Sequence, residues 1–507
     1  MNILPPSQPP NQNITTKVVR GGAWLYGRIL VTGVVNLGVM AILARQLSPA
    51  EFGLVALAST ALGLLVVIGA EGINEFVIYD NKEGREERVQ AAFWMDLAFS
   101  TTTALIGLLL VPWIARFYAE PALEPILVAL LLRYPIDSLS KIPDALLKKR
   151  LDFQKLVIRD TILEILSSLG SVVLALTGWG AWSLVIPSLV VSPMRAIIVL
   201  RMARWRPSLA FHFKEWPHIF TYSGNVIGGT LANYVVNNGD NLLIGKLMGS
   251  YALGIYNLSW NVSNMVGNNV TGLVNKLALP AFSAVSGDLS HLRMGMSRML
   301  RVLSVATFPL LIGLFVVADD FILTVYGSQW QQAILPLRIL IIYALRYSVG
   351  SPAGVLFKAV GRTDITFKLG IYTIPFYLVS IWAGSYYGIV GVAVGVTLVR
   401  TTVGLISFEL VARCLKTSFW KVIEPLVPAF MASCWMGGVV FLAKLLLNAL
   451  LPESHLLNLV TLITLGGLTY FFLLRTFYHN LALDLVRVTA LLLGPLQGYV
   501  VKALNAH

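Results

Sequence analysis

The chain has 507 residues, of which 56% are hydrophobic and 12% charged, well below the roughly 25% charged residues of a water-soluble domain. Water cannot wet that much apolar surface, which excludes a soluble globular protein and implies an all-α integral membrane protein whose crossings each need about 20 apolar residues. The formal charge of +13 does not imply nucleic acid, because the basic residues recur in short clusters between apolar runs, as in loops on one side of a membrane.

Residues 1–21 form a polar tail rich in Pro and Asn that ends in Lys17 and Arg20, with no cleavable leader expected because the next apolar run reaches spanning length. About fourteen spans follow, at 22–44, 52–78, 91–115, 122–143, 156–178, 181–202, 219–243, 251–275, 299–318, 332–357, 367–386, 389–411, 426–449 and 456–474. Gly178-Trp179-Gly180 and the stretch from Gly384 to Gly388 split two long apolar runs into tight helical hairpins. Pro125, Pro135, Pro187, Pro309 and Pro336 fall inside spans and are expected to mark kinks. Residues 204–218 read as an interfacial linker, 276–298 as a cytoplasmic connector, and 476–507 as an amphipathic tail interrupted by Gly494-Pro495.

Alternate loops differ sharply in charge. Lys82, Arg85, Lys148, Lys149, Arg150, Arg204, Arg206, Arg293, Arg362, Arg413 and Lys416 fall on one side; Arg45, Arg116 and Lys246 fall on the other. The basic side is expected to be cytoplasmic, with an even number of spans and both termini inside.

A shift of 201 residues lays Gly27 on Gly228, Val34-Val35-Asn36 on Val235-Val236-Asn237, Arg45 on Lys246 and Gly53 on Gly254. Arg133-Tyr134 is echoed by Arg346-Tyr347. The repeat predicts two pseudo-symmetric six-helix lobes, 22–203 and 219–412, with two further helices in 413–475 and a substrate site between the lobes.

The pattern Arg45-x-Leu47-Ser48-Pro49-x-x-Phe52-Gly53-Leu54, its second copy Lys246-x-Met248-Gly249 with Gly254-Ile255-Tyr256, and the segment Leu147-Lys148-Lys149-Arg150-Leu151-Asp152-Phe153 resemble the polysaccharide transporter family. That family sits in the superfamily of multidrug extruders and the lipid II flippase, and the loop resembles its colanic and teichuronic acid exporter branch. The resemblance covers nearly the whole chain and implies a flippase of the inner membrane. Its implied cargo is an undecaprenyl-pyrophosphate-linked oligosaccharide, moved by alternating access for exopolysaccharide or lipopolysaccharide biosynthesis. Implied partners are that substrate, membrane lipids and the polysaccharide polymerase machinery; no cofactor, metal or nucleic acid is implied.

Such a cargo needs buried cations for its pyrophosphate and amides for its sugars. Arg28, Arg133, Arg346 and Arg400 lie deep in spans, where ionisable groups face a cavity or a partner, and Arg can hold phosphate oxygens in bidentate fashion. Arg133 has a competing partner at i+4, Asp137. Asn257, Asn261, Asn264 and Asn268 recur at helical spacing, and Asn233 and Asn237 lie on the preceding span; all six are candidate sugar contacts, with helix–helix bonding the alternative. Asp240 is the candidate ion-coupling acid, ahead of Glu71, Asp96 and Glu164. Arg195, Arg338 and Lys444 lie nearer span ends and are expected to snorkel. A membrane polymerase or ligase is the rival of another class, but no large outer loop and no His-Glu-x-x-His, Gly-x-Ser-x-Gly or Walker sequence is present. A multidrug extruder is the nearer rival; it predicts twelve spans, an acid-rich first lobe and few buried arginines.

Overall fold

The structure, a computed structural model, describes residues 33, 35–70, 73–79, 85–150, 152–450 and 455–477. Helical residues 35–46 (α1) are followed by α2 (Pro49–Ala70), α3 (Ile73–Tyr79), α4 (Arg85–Tyr118), α5 (Leu123–Lys149), α6 (Phe153–Leu176) and α7 (Trp182–Ala203). After a linker come α8 (Trp216–Ala284), α9 (Leu289–Val316), α10 (Ala318–Val325), α11 (Ile334–Ala359), α12 (Thr363–Ser385) and α13 (Gly388–Cys414). The short α14 (Phe419–Ile423) leads to α15 (Val427–Leu450) and α16 (His455–Phe477). Every regular element among the described residues is a helix, the all-α fold that composition implied.

Nine helices among the described residues are long and apolar enough to cross a membrane, which makes the chain a multi-pass membrane protein. The helices α5 and α6 and both arms of α8 are as long, about 36–52 Å at 1.5 Å per residue, and carry charged or amide side chains. What runs as one 69-residue helix breaks at Gly249, where φ is 81° and ψ 179°, so α8 is two rods. Successive spans alternate in direction and gather the Lys- and Arg-rich connections at one end, the basic end; the other is the far end.

Two expectations change. Pro125 and Pro336 do not kink their helices, because each is the third residue of its helix (α5 and α11), where the N–H that proline lacks would have no helical partner anyway. The connector placed at 276–298 shrinks to a turn: α8 runs to Ala284 and α9 starts at Leu289, with Asp288 accepting from the backbone N–H groups of Ser290 at 2.8 Å and His291 at 3.3 Å. Apolar runs report only the part of a helix that lies in lipid. The hairpins hold, with Gly178, Gly180 and Gly388 all at positive φ.

The signature around Gly53 has a physical basis. Ser48 and Glu51 form a capping box at the start of α2, with Ser48 N–H donating to Glu51 Oε2 at 2.7 Å and Ser48 Oγ to the same oxygen at 2.9 Å. Pro49 takes the first helical position, where its fixed φ suits the helix. A Cβ on Gly53 would run into the Ser250 carbonyl, and one on Gly254 into the Pro49 carbonyl. Residues 49 and 53 thus meet 250 and 254 reciprocally, each pair related by the 201-residue shift.

Basic side chains reinforce this crossing in the same reciprocal way. Arg45 donates to the Thr324 and Val325 carbonyls at the end of α10, and Lys246 donates to the Phe117 carbonyl at the end of α4. Trp330 Nε1 donates to the Ala44 carbonyl at 2.8 Å, and Glu120 accepts from Ser250 N–H at 3.1 Å. One core spans both halves here, joining Leu57, Ala58 and Ala115 to Ile244, Leu253, Tyr256 and Val396. Toward the basic end the cores separate. Ile73, Phe76, Val89, Leu146 and Val199 form one, which takes Ile219 and the partly buried Trp216 from the first turns of α8; Leu292, Leu303, Leu356, Val411 and Leu462 belong to the other. The halves share one core at the far end and have separate cores at the basic end, where only the first turns of α8 among the described residues reach across, as in the Phe76–His218 and Phe99–Phe220 ring contacts.

Candidate functional site

The second half holds two arginines at matched depth. Arg346 and Arg400 each lie twelve residues into their helices, α11 and α13, about 18 Å from the far end. They line one cavity of about 210 Å³ together with Val236, Tyr343, Thr373 and Tyr377. Arg400 is held firmly: its Nη2 donates to the Val236 carbonyl and to the Tyr377 hydroxyl, both at 2.9 Å. Three rings surround its guanidinium, at 5.0 Å (Trp260), 5.6 Å (Tyr343) and 4.6 Å (Tyr377). Buried Asp240 accepts from the Tyr256 hydroxyl at 2.9 Å.

Arg346 is different. It lies 5.8 Å from the Tyr343 ring centroid, its Nε is buried without a partner, and no hydrogen bond or ion pair ties it to the described residues. A cation at mid-membrane depth is unfavourable by about 3 kcal/mol, and its neighbour Arg400 adds repulsion rather than relief. Gly404, one turn beyond Arg400, makes room for it; a Cβ there would overlap the Arg346 guanidinium. Gly350 is close behind, with its would-be Cβ 3.0 Å from Arg346 Nη1. No carboxylate among the described residues lines this cavity, so two guanidinium groups face it, the condition for holding an anion.

The first half is charged but balanced. Arg133 Nε donates to Asp137 at 2.8 Å, the i+4 pairing noted in the sequence, and Ser192 donates to the same carboxylate. These groups line a cavity of about 360 Å³ with Asp160, Glu164 and Arg195. Glu164 accepts from Asn36 at 2.9 Å, and buried Arg159 bridges Asp144 and Asp160. Asp96, fully buried, lies 3.5 Å from Lys141. Arg195 does not simply snorkel: it lines this cavity and a neighbouring one of about 260 Å³, with its Nε buried and unpartnered.

The asparagines do not act as one set. Asn257 is half-buried and donates to Asn241 at 3.3 Å, Asn264 is buried and donates to the Trp260 carbonyl at 2.9 Å, and Asn261 is exposed. Asn237 donates to the Asn233 carbonyl at 2.9 Å, and both side chains are exposed. They flank the strip of α8 between its two packed faces: Tyr234 donates to the Thr60 carbonyl at 2.7 Å on one side, while Val236 accepts from Arg400 on the other. Arg28, Glu71 and the Asn268 side chain lie outside the described residues. Lys444 corrects an expectation: instead of snorkelling it is buried and paired with Asp319 and Asp320, the latter at 2.9 Å.

The sequence reading passed over Asp144, Arg159 and Asp160. Their signal was present: Arg133, Asp137, Lys141, Asp144 and Lys148 recur every three or four residues along α5, a charged helical face that begins inside an apolar run.

Relatives agree with this architecture. The chain is 25% identical to the lipopolysaccharide biosynthesis protein WzxC of Escherichia coli (strain K12), over 86% of this chain and 88% of that one. It is 24% identical to the teichuronic acid biosynthesis protein TuaB of Bacillus subtilis (strain 168), over 94% and 99%. Among solved structures, the lipid II flippase MurJ in an inward closed conformation superposes with a TM-score of 0.73 at 14% identity, covering 90% of this chain and 99% of that one. An inward-facing multidrug resistance MATE transporter of the MOP superfamily gives 0.56, also at 14% identity, over 78% and 99%. These likenesses establish the helical transporter fold. Residues 42–335 match the model of the polysaccharide biosynthesis protein family, and the chain belongs to that family.

Proposed function

We propose that the protein is a flippase, not an enzyme, that carries undecaprenyl-pyrophosphate-linked oligosaccharide units from the cytoplasmic to the outer leaflet of the inner membrane by alternating access. The observation that carries this reading is Arg346: a half-buried cation with its Nε enclosed and no counter-ion among the described residues, beside Arg400, in a cavity that no described carboxylate lines. A pyrophosphate would supply the missing charge, and the guanidinium fork matches its oxygens. Arg400 contributes field and fixes the wall. The exposed Asn233 and Asn237, with Asn261, offer donors and acceptors to sugar hydroxyls. Asp240, behind the tyrosines, is the group placed to couple an ion to Arg400.

In this reading the chain has about fourteen spans, with lobes 22–203 and 219–412 and an added pair in 413–475. The basic end is cytoplasmic, so the far-end seal faces outward and the conformation described is the one that admits cargo from inside. The flipped unit passes to polymerase machinery on the outer face. A multidrug extruder is favoured by one feature, the acids of the first half, but Asp96, Asp137, Asp144 and Asp160 each have a cationic partner. The test is the leaflet distribution of lipid-linked oligosaccharide in cells lacking the gene. Build-up in the cytoplasmic leaflet, rescued by the gene, is expected; a normal distribution with altered sensitivity to cationic drugs would replace the flippase reading with the extruder.

A further inference from the structure

The last turns of α7 and the linker behind them form a site that the transport reading does not use. Ile197, Leu200, Arg201 and Arg204 recur at three- and four-residue steps, so they share one face of the helix. That face is apolar on the membrane side and cationic toward the basic end. Arg204 ends the helix with φ 49° and ψ 38°, and the chain then places Trp205, Arg206 and Pro207 along the same depression, a cavity of about 770 Å³.

The backbone of this linker is pinned while its guanidinium groups are free. Gln90 of α4 donates to the Arg206 carbonyl at 3.3 Å and accepts from Ser208 N–H at 2.8 Å. Trp94 donates to the Ser208 carbonyl at 2.7 Å, and buried Trp205 donates to Glu86 at 2.9 Å. Glu86 is therefore occupied by Trp205 and Gln90. The side chains of Arg201, Arg204 and Arg206 have no hydrogen bond or ion pair among the described residues. Beyond them Leu209, Phe211 and Phe213 are exposed, which suits a segment lying in the membrane interface.

We propose that this is a binding site for an anionic glycerophospholipid of the leaflet at the basic end, its phosphate taken by Arg201, Arg204 and Arg206 and an acyl chain lying on Ile197 and Leu200. Apolar groups below and free guanidinium groups above, on one helix face, match a lipid rather than a soluble anion. The site sits on the linker that joins α7 to α8, so the lipid would brace the covalent bridge between the halves. The name of the leaflet rests on the orientation proposed above; the binding itself does not.

The test uses the purified full-length protein in detergent and native mass spectrometry with phosphatidylglycerol or phosphatidylcholine. Phosphatidylglycerol is expected to bind at least tenfold more tightly than phosphatidylcholine. A variant with Arg201→Gln, Arg204→Gln and Arg206→Gln is expected to lose that preference. A control with Lys358→Gln, Lys416→Gln and Lys421→Gln removes the same charge at the same end and should keep it. Ile197→Trp, which fills the acyl face without changing charge, should weaken phosphatidylglycerol at least threefold and guards against a misfolded arginine variant. Equal losses in the arginine and lysine variants, or none in either, overturn the site. Displacement of phosphatidylglycerol by equimolar undecaprenyl pyrophosphate would assign the arginines to the cargo instead. Because binding is read without transport, a failed flippase assay leaves this result standing.

Discussion

Arg346 separates stability from function. Its half-buried charge has no counter-ion among the described residues, so Arg346→Met removes a destabilising group as well as the proposed phosphate contact. Thermal unfolding in detergent should stay level or rise by a few degrees, while leaflet transport falls at least tenfold; a drop in both would make Arg346 a structural residue. Gly404 extends the argument. Its missing Cβ leaves the space the guanidinium fills, so Gly404→Ala should lower transport several-fold in the native protein yet add nothing to Arg346→Met, a non-additivity that marks two residues acting through one group. The four deep arginines stood out in the sequence because charge is rare inside spans. The partners of most did not: Arg133 meets Asp137 on its own α5, but Arg400 meets the Val236 carbonyl of α8 and the Tyr377 hydroxyl of α12 only through folding.

The added helices are held on by charge at one end. Lys444 of α15 reaches Asp319 and Asp320 at the start of α10, Arg338 of α11 lies 3.3 Å from Asp319, and His455 of α16 lies 3.3 Å from Asp320. Removing one partner of a buried pair costs about 3–5 kcal/mol because the other stays charged and buried. Lys444→Met should therefore lower the unfolding temperature clearly, and Asp320→Asn in the same chain should recover part of the loss; equal stability of Lys444→Met and the native chain would show the cluster to be inert. The cap of α9 behaves differently. Hydrogen bonds from the Ser290 hydroxyl and from His291 hold the exposed Asp288 carboxyl well below the usual carboxylate range. A depressed folded-state pKa contributes stability above the unfolded value that is lost only as pH falls through the folded one. Amide exchange at Ser290 and His291, corrected for intrinsic rates, should keep the same protection from pH 8 to pH 5. These helices were legible in outline, because apolar runs and Gly turns mark where lipid begins and ends. The rods of α8 and α9 outside that layer were not, since polar helix and polar loop have similar composition.

For the whole molecule, the repeat pattern pointed to positions that meet in the structure. Glycines at 53 and 254 allow two helices to touch backbone to backbone, and Arg45 and Lys246 tie the crossing down from each side. Opening the far end must separate all of these together. Bulk at the crossing should hold it apart, so, in the orientation proposed above, Gly53→Leu should raise the maleimide reactivity of a cysteine placed at Ser250, measured from outside the cell, by at least tenfold. Unchanged reactivity would mean that this seam is not the outer gate. Composition could not reveal which end was shut, because a closed and an open seam use the same residues.

The crossing has one more consequence. Residues 49 and 53 of one repeat face 250 and 254 of the other, and the reverse, which is the geometry of an isologous dimer written into a single polypeptide. Two separate chains, divided between α7 and α8 and made in the same cell, would carry complementary faces and find each other as subunits do.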